Sequence, residues 1–214
     1  MAATPSPSAV TATLQTIKLE DIQMTILQKN RDFVILNLSD PQMNAFEWAD
    51  THPYSPILKY TIDKLIKDNK PDLITVTGDM AYPGDYESYE TFANLLDSYE
   101  IPWTIVWGNH DHQSGMEPVL KAAELFKKHP YCLFEDGDPA YGNGNHFIGI
   151  HQEEKPVTVL FMIDSHNSVE ATLENGEKKW VYDKLWSNQL EWIGSIGEQF
   201  KQQGYRDAMM MLHI

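Results

Sequence analysis

The sequence holds a single cysteine, Cys132, so no disulfide can form within the chain and no cysteine-built zinc site is available. That scarcity fits a reducing compartment. Residues 1 to 8 carry neither the basic start nor the apolar core of a secretory leader, so a cytoplasmic location is expected, export staying open where a leader has been removed. Cationic residues are scarce too. Sixteen Lys and Arg stand against 31 Asp and Glu, a formal charge of -15 that repels polyanions and excludes an extended basic groove for nucleic acid. No apolar run reaches membrane-spanning length, so no membrane association is expected, and no internal repeat is visible.

What is present is enough apolar material, 42% of 214 residues, to bury one core. Residues 1 to about 12 are small and Pro/Ser/Thr-rich, the composition of a mobile tail, and residues 13 to 30 read either as a strand leading into the domain or as an accessory hairpin. The division expected is a tail or accessory strand over 1–30 and one domain over 31–214. From Phe33 onward, short apolar runs alternate with amphipathic stretches, which predicts an α/β fold of β-α-β units around a largely buried sheet. Strands are expected at 33–38, 73–77, 103–107, 157–163 and 208–212. Helices are expected around 57–66, 86–99, 117–128 and 187–204.

Polar residues collect immediately after the strands, where open α/β sheets bind ligands. The strand ends read Ser39-Asp40-Pro41-Gln42, Gly78-Asp79-Met80-Ala81-Tyr82, Gly108-Asn109-His110-Asp111, Asp164-Ser165-His166 and His213. Carboxylate, amide and imidazole groups from Asp40, Asp79, Asn109 and His213 are a donor set for hard or borderline cations, and a carboxylate can bridge two of them. Two cations would polarise a phosphoryl group and acidify water toward neutral pH. They would also supply the local positive charge that an acidic chain needs in order to take a phosphorylated substrate. Loop histidines His112, His146, His151 and His166 either line the substrate pocket or are structural.

Gly78-Asp79 followed by Gly108-Asn109-His110-Asp111 resembles the paired motifs of the calcineurin-like metallophosphoesterases, and the resemblance runs from about Phe33 to His213. It implies a layered sandwich of β-sheets flanked by helices. It also implies metal ligands at Asp40, Asp79 (bridging), Asn109 and His213, a catalytic His110 facing the substrate, and Asp111 holding or polarising His110. Gln42 stands where the superfamily usually has a histidine. Tyr82 lies three residues after the bridging aspartate, as in the purple acid phosphatases, and this implies Fe(III) beside a divalent Fe, Zn or Mn ion. Further similarity to such phosphatases lies in residues 142–145, 161–165 and 186–192. The family's closing Gly-His-x-His motif does not occur before Ile214. The expectation drawn from an end in mid-strand is that the C-terminal part of the fold is missing from this sequence, a degenerate relative being the alternative. The activity implied is hydrolysis of small phosphate monoesters at a dinuclear site. A phosphodiesterase on the same scaffold and a non-catalytic metal- or phosphate-binding module are the other readings.

Overall fold

A computed structural model describes residues 24–213, and the tail expected over residues 1 to 12 lies outside them. Three parallel strands form one sheet in the order β2 (Ile35–Leu38), β3 (Leu73–Thr77), β4 (Trp103–Val106). A second, mixed sheet runs β1 (Met24–Gln28), β5 (His146–Gln152), β6 (Lys155–Met162), β9 (Asp207–Met211). Within it β1 and β9 lie parallel to their neighbours, while β5 and β6 form an antiparallel hairpin. The strands β7 (Ser168–Thr172) and β8 (Lys178–Tyr182) make a separate hairpin.

The side-chain alternation of the strands decides the layering. Leu73 and Val106 point from the three-stranded sheet into a core shared with Leu27, Ile148, Leu160 and Met162 of the other sheet, so the two sheets stack face to face. Their neighbours Ile74, Val76, Trp103 and Ile105 point the other way, against helices α1 (Ala45–Trp48), α2 (Tyr54–Asn69), α3 (Tyr86–Asp97) and α5 (Met116–Phe126). On the far side of the four-stranded sheet, Phe147, Val159 and Phe161 pack on Ile196 and Phe200 of α6 (Ser187–Gln202). The result is helices, sheet, sheet, helix: an α/β sandwich flanked by helices, as expected.

Local chemistry explains several boundaries. Asp85 caps α3 by accepting the Ser88 amide at 2.8 Å, and α2 stops where Lys70 turns left-handed before Pro71. β2 starts at Ile35 rather than at 33 because the Val34 amide is spent on the Asp72 carboxylate at 2.8 Å. The second sheet is not the parallel β-α-β arrangement expected, since β5 and β6 follow one another directly. β9 is not interior either: Met209 and Met210 are exposed, at the edge of the sheet.

Both β6 and β9 run toward the same end of the sandwich as β2, β3 and β4, so five carboxyl ends converge there. At the opposite end a buried ion pair between Lys29, after β1, and Asp72, before β3, links the two sheets. Both side chains are 3% exposed, and Arg31 stands 3.7 Å from the same carboxylate.

Candidate metal centre

Asp40 follows β2, Asp79 follows β3, Asn109 opens the short helix α4 (Asn109–His112) after β4, and His213 follows β9. Donor atoms of Asp40, Asp79 and His213 all lie within 4.8 Å of one another. The fourth expected donor joins them, for Asn109 Oδ1 is 3.2 Å from His213 Nε2. The ring of His213 is aimed by its other nitrogen, which donates to the Thr77 carbonyl at 2.8 Å and leaves Nε2 facing Asp79 Oδ2 at 3.4 Å. A histidine anchored through Nδ1–H to a carbonyl is oriented as a metal-binding imidazole is.

Bringing these tips together strains the backbone. Asp40, Gln42 and Asp79 all have positive φ, at 56°, 45° and 55°. Non-glycine residues in this region cost roughly 1–3 kcal/mol each and gather at functional sites. Two glycines supply the remaining closeness. A Cβ on Gly78 would stand 2.6 Å from the His213 ring, and one on Gly108 would stand 2.1 Å from Asp79 Oδ1.

Gln42, which the sequence presents only as a poor replacement for imidazole, is built into the centre. Its amide Nε2 donates to Asp79 Oδ2 at 3.0 Å and to Asp40 Oδ1 at 3.2 Å. No local pattern marks that role, because it arises when two strand tips meet. The other oxygen of Asp79 accepts the His110 amide at 2.9 Å.

Electrostatics follow from these contacts. Burial pushes the Asp79 carboxyl up, but hydrogen bonds from His213 and the His110 amide outweigh it and leave the pKa lowered. Asp79 in turn raises the His213 pKa to about 9, against partial burial and with help from the Thr77 carbonyl and Asp40. A pocket that holds a proton so firmly is a negative potential with oriented donors, and the residues present fit a cation of oxygen- and nitrogen-binding chemistry.

Asp111 takes a different place from the one expected. Its fully buried carboxylate accepts the amides of Asp79 at 2.9 Å, Met80 at 3.0 Å, Ala81 at 3.3 Å and Gly108 at 2.9 Å, and the Tyr89 hydroxyl at 3.1 Å. It straps the loop after β3 to the loop after β4, and none of its hydrogen bonds goes to the His110 ring. Burial raises its pKa to about 6 despite the amides of Gly108 and Ala81. His110 has Nε2 3.7 Å from Asp79 Oδ2, and its buried Nδ1 has no partner among the described residues. Tyr82, about half exposed, lays its ring edge-on against His110 at 4.5 Å, and its hydroxyl makes no hydrogen bond to Asp40, Asp79, Asn109 or His213.

The loop histidines divide. His146 is interior, its Nε2 2.6 Å from the Thr104 hydroxyl, and His151 meets the Tyr205 hydroxyl at 2.8 Å. His112 and His166 flank Asp164 at 4.0 and 3.5 Å. His166 also lines a cavity of about 270 Å³ that opens beside Asn109 and His213.

A family model for the calcineurin-like phosphoesterase matches residues 47–208, which include Asp79, Asn109 and His110. The chain belongs to the calcineurin-like phosphoesterase family. Among curated relatives, phosphatase DCR2 of Saccharomyces cerevisiae is 26% identical over 72% of this chain and 30% of its own length. A probable cyclic nucleotide phosphodiesterase of Xenorhabdus bovienii is 27% identical over 63% of this chain and 46% of its own. Probable inactive purple acid phosphatase 29 of Arabidopsis thaliana is 25% identical over 72% of this chain and 44% of its own. The chain thus spans less than half the length of these relatives, and the purple acid phosphatase-like branch is supported at a distant level. As a calcineurin-like phosphoesterase it falls in a hydrolytic family that generally binds divalent metals. No described helix is long and apolar enough to cross a membrane.

Proposed function

We propose that this calcineurin-like phosphoesterase hydrolyses phosphate monoesters at a dinuclear metal centre held by Asp40, Asp79, Asn109 and His213, with Asp79 between the two ions. The observation that carries the reading is the meeting of these donors, from four strand tips and two sheets, within hydrogen-bonding or near-ligand distance. When bound, such cations polarise the phosphoryl oxygens and lower the pKa of water. The chain's own residues then have separable tasks. Asp40, Asp79, Asn109 and His213 would hold the cations and so set where a phosphoryl group can bind. Gln42 keeps the two carboxylates in register. His110, beside the centre but outside the donor set, hydrogen-bonds the phosphoryl group and protonates the departing alcohol. Iron(III) with a divalent partner is the proposed metal pair, through Tyr82; its support is the spacing from Asp79 and the relatives named as purple acid phosphatases. A phosphodiesterase is the second reading, favoured by the Xenorhabdus relative.

The test pairs metal analysis with turnover. Asp79→Ala is expected to lose bound metal while keeping its fold, whereas His110→Ala keeps its metal and loses roughly 100- to 10,000-fold in rate on p-nitrophenyl phosphate. Equal metal loss in both variants overturns the division of roles. Preferential cleavage of the bis ester moves the assignment to the diesterase.

A further inference from the structure

Asn-Gly occurs twice in the chain, at Asn143-Gly144 and Asn175-Gly176, and the fold holds the two pairs in opposite ways. In this dipeptide the glycine nitrogen can reach the carbonyl carbon of the asparagine side chain, because glycine carries no Cβ to obstruct the approach and its backbone turns freely. We infer that Asn175 is a site of spontaneous deamidation in the folded protein and that Asn143 is not, an inference independent of the metal centre. The Gly176 nitrogen bonds to Asn175 Cγ and gives up its proton, the bond from Cγ to Nδ2 breaks, and the side-chain nitrogen leaves with that proton as ammonia. Water then opens the five-membered imide at one carbonyl or the other, which leaves aspartate or isoaspartate at position 175. No oxidant or reductant takes part.

Exposure and tethering separate the two pairs. Asn175 and Gly176 are exposed at the tip of the β7–β8 hairpin, and a Cβ on Gly176 would meet nothing within 4 Å. The Leu173 amide donates to the Glu177 carbonyl and the Gly176 amide to the Leu173 carbonyl, both at 2.8 Å. The Glu177 amide donates to Asn175 Oδ1 at 3.0 Å, which draws electron density away from Cγ, the atom under attack. Cyclisation requires the Gly176 amide to leave Leu173. That opening is local, since β7 and β8 pair with no third strand among the described residues and a lone two-stranded hairpin is marginally stable.

Asn143-Gly144 is locked instead. The Asn143 amide donates to the Asp164 carboxylate and the Gly144 amide to the Asp136 carbonyl, both at 2.7 Å. Asn143 Nδ2 is buried, and a Cβ on Gly144 would stand 2.5 Å from the ring of Phe134, a residue of the core beneath the helices. Freeing the Gly144 nitrogen means pulling this loop off the core, an opening that approaches global unfolding. At Asn175 the consequence is as local as the cause. Isoaspartate routes the main chain through the former side chain and lengthens it by one carbon, so the short loop no longer fits the register that pairs Thr172 with Lys178. Either product adds a carboxylate between Glu174 and Glu177.

The test keeps folded protein at 37 °C at pH 6 and pH 8 and locates amide loss by peptide fragmentation in a mass spectrometer. Asn175 is expected to convert at least roughly ten-fold faster than Asn143, and faster at pH 8, where the attacking nitrogen loses its proton more readily. In guanidinium chloride the two should convert at similar rates, because only the fold distinguishes them. Equal rates in the folded protein, or an Asn175 that converts when unfolded and not when folded, overturn the inference. Converted protein should also exchange its amide hydrogens faster over Ser168–Thr172 and Lys178–Tyr182 than fresh protein. Asn175→Gln, whose imide would need a six-membered ring, should age without that change. A rise in exchange as large in aged Asn175→Gln overturns the link between residue 175 and the loosened hairpin.

Discussion

Buried deep between the two sheets, His146 donates Nδ1–H to the Gly144 carbonyl at 2.7 Å and accepts the Thr104 hydroxyl at Nε2. Burial, only partly opposed by that carbonyl, lowers its pKa from 6.5 to about 4. A histidine depressed in the fold contributes stability that is present above its unfolded pKa and lost as pH falls through 6.5 toward 4, on the order of 3 kcal/mol. Asp111 acts in the opposite sense. Raised from 3.8 to about 6, it binds a proton in the fold before it does so unfolded, so it favours folding as pH falls over nearly the same window. His112 and His151, also lowered by burial, slope the same way as His146. In His146→Gln its share of that slope is gone, and urea titrations at pH 7 and pH 5 should show the variant losing less stability on acidification than wild type. Parallel loss in both proteins contradicts this assignment. That Asp40, Asp79, Asn109 and His213 meet was legible in the sequence because each follows an apolar strand and the resemblance to the metallophosphoesterases groups them. The link from Gln42 to Asp79 and the strapping of the loop after β3 by Asp111 were not, since they join residues 30 or more positions apart.

Loops, not strands, set the accuracy of the centre at the level of elements. The turn after β3 and the start of α4 approach so closely that Gly108 has no space for a side chain beside Asp79. Gly108→Ala is therefore expected to displace the Asp79 carboxylate and weaken metal binding by roughly 10- to 100-fold, as losses of orienting contacts typically do, with a far-ultraviolet spectrum like the wild type's. Unchanged metal affinity argues against the tight approach. The five strands at 33–38, 73–77, 103–107, 157–163 and 208–212 were readable from their apolar runs, and so were the four longer helices. The β5–β6 hairpin was hidden because its turn residues Glu153 and Glu154 adopt positive φ, 49° and 64°, without the Asn-Gly signature usual for that geometry. For β7–β8 a signal existed: Asn175-Gly176 lies between two runs rich in β-formers.

Across the whole molecule, the two sheets touch through a shared apolar core and are tied by polar contacts at their ends and by the buried Thr104–His146 hydrogen bond between them. Which strand joins which sheet depends on non-local pairing, and no residue pattern in β1 or β9 reveals that they belong with β5 and β6. The proposed centre draws Asp40, Asp79 and Asn109 from one sheet and His213 from the other, so bound cations would be bonded to both. At free metal 100-fold above the dissociation constant, binding to the folded form alone adds about 2.7 kcal/mol, worth on the order of 5–10 °C in Tm for a chain of this size. Chelation should therefore lower the melting temperature by several degrees in the wild type and leave His213→Ala unmoved, measured by calorimetry. The buried Lys29–Asp72 pair at the other end makes the arrangement asymmetric. With one end pinned by charge inside the protein, cations bound at the other would tether the strand tips of both sheets, so loss of metal should loosen that end and leave the Lys29–Asp72 end in place.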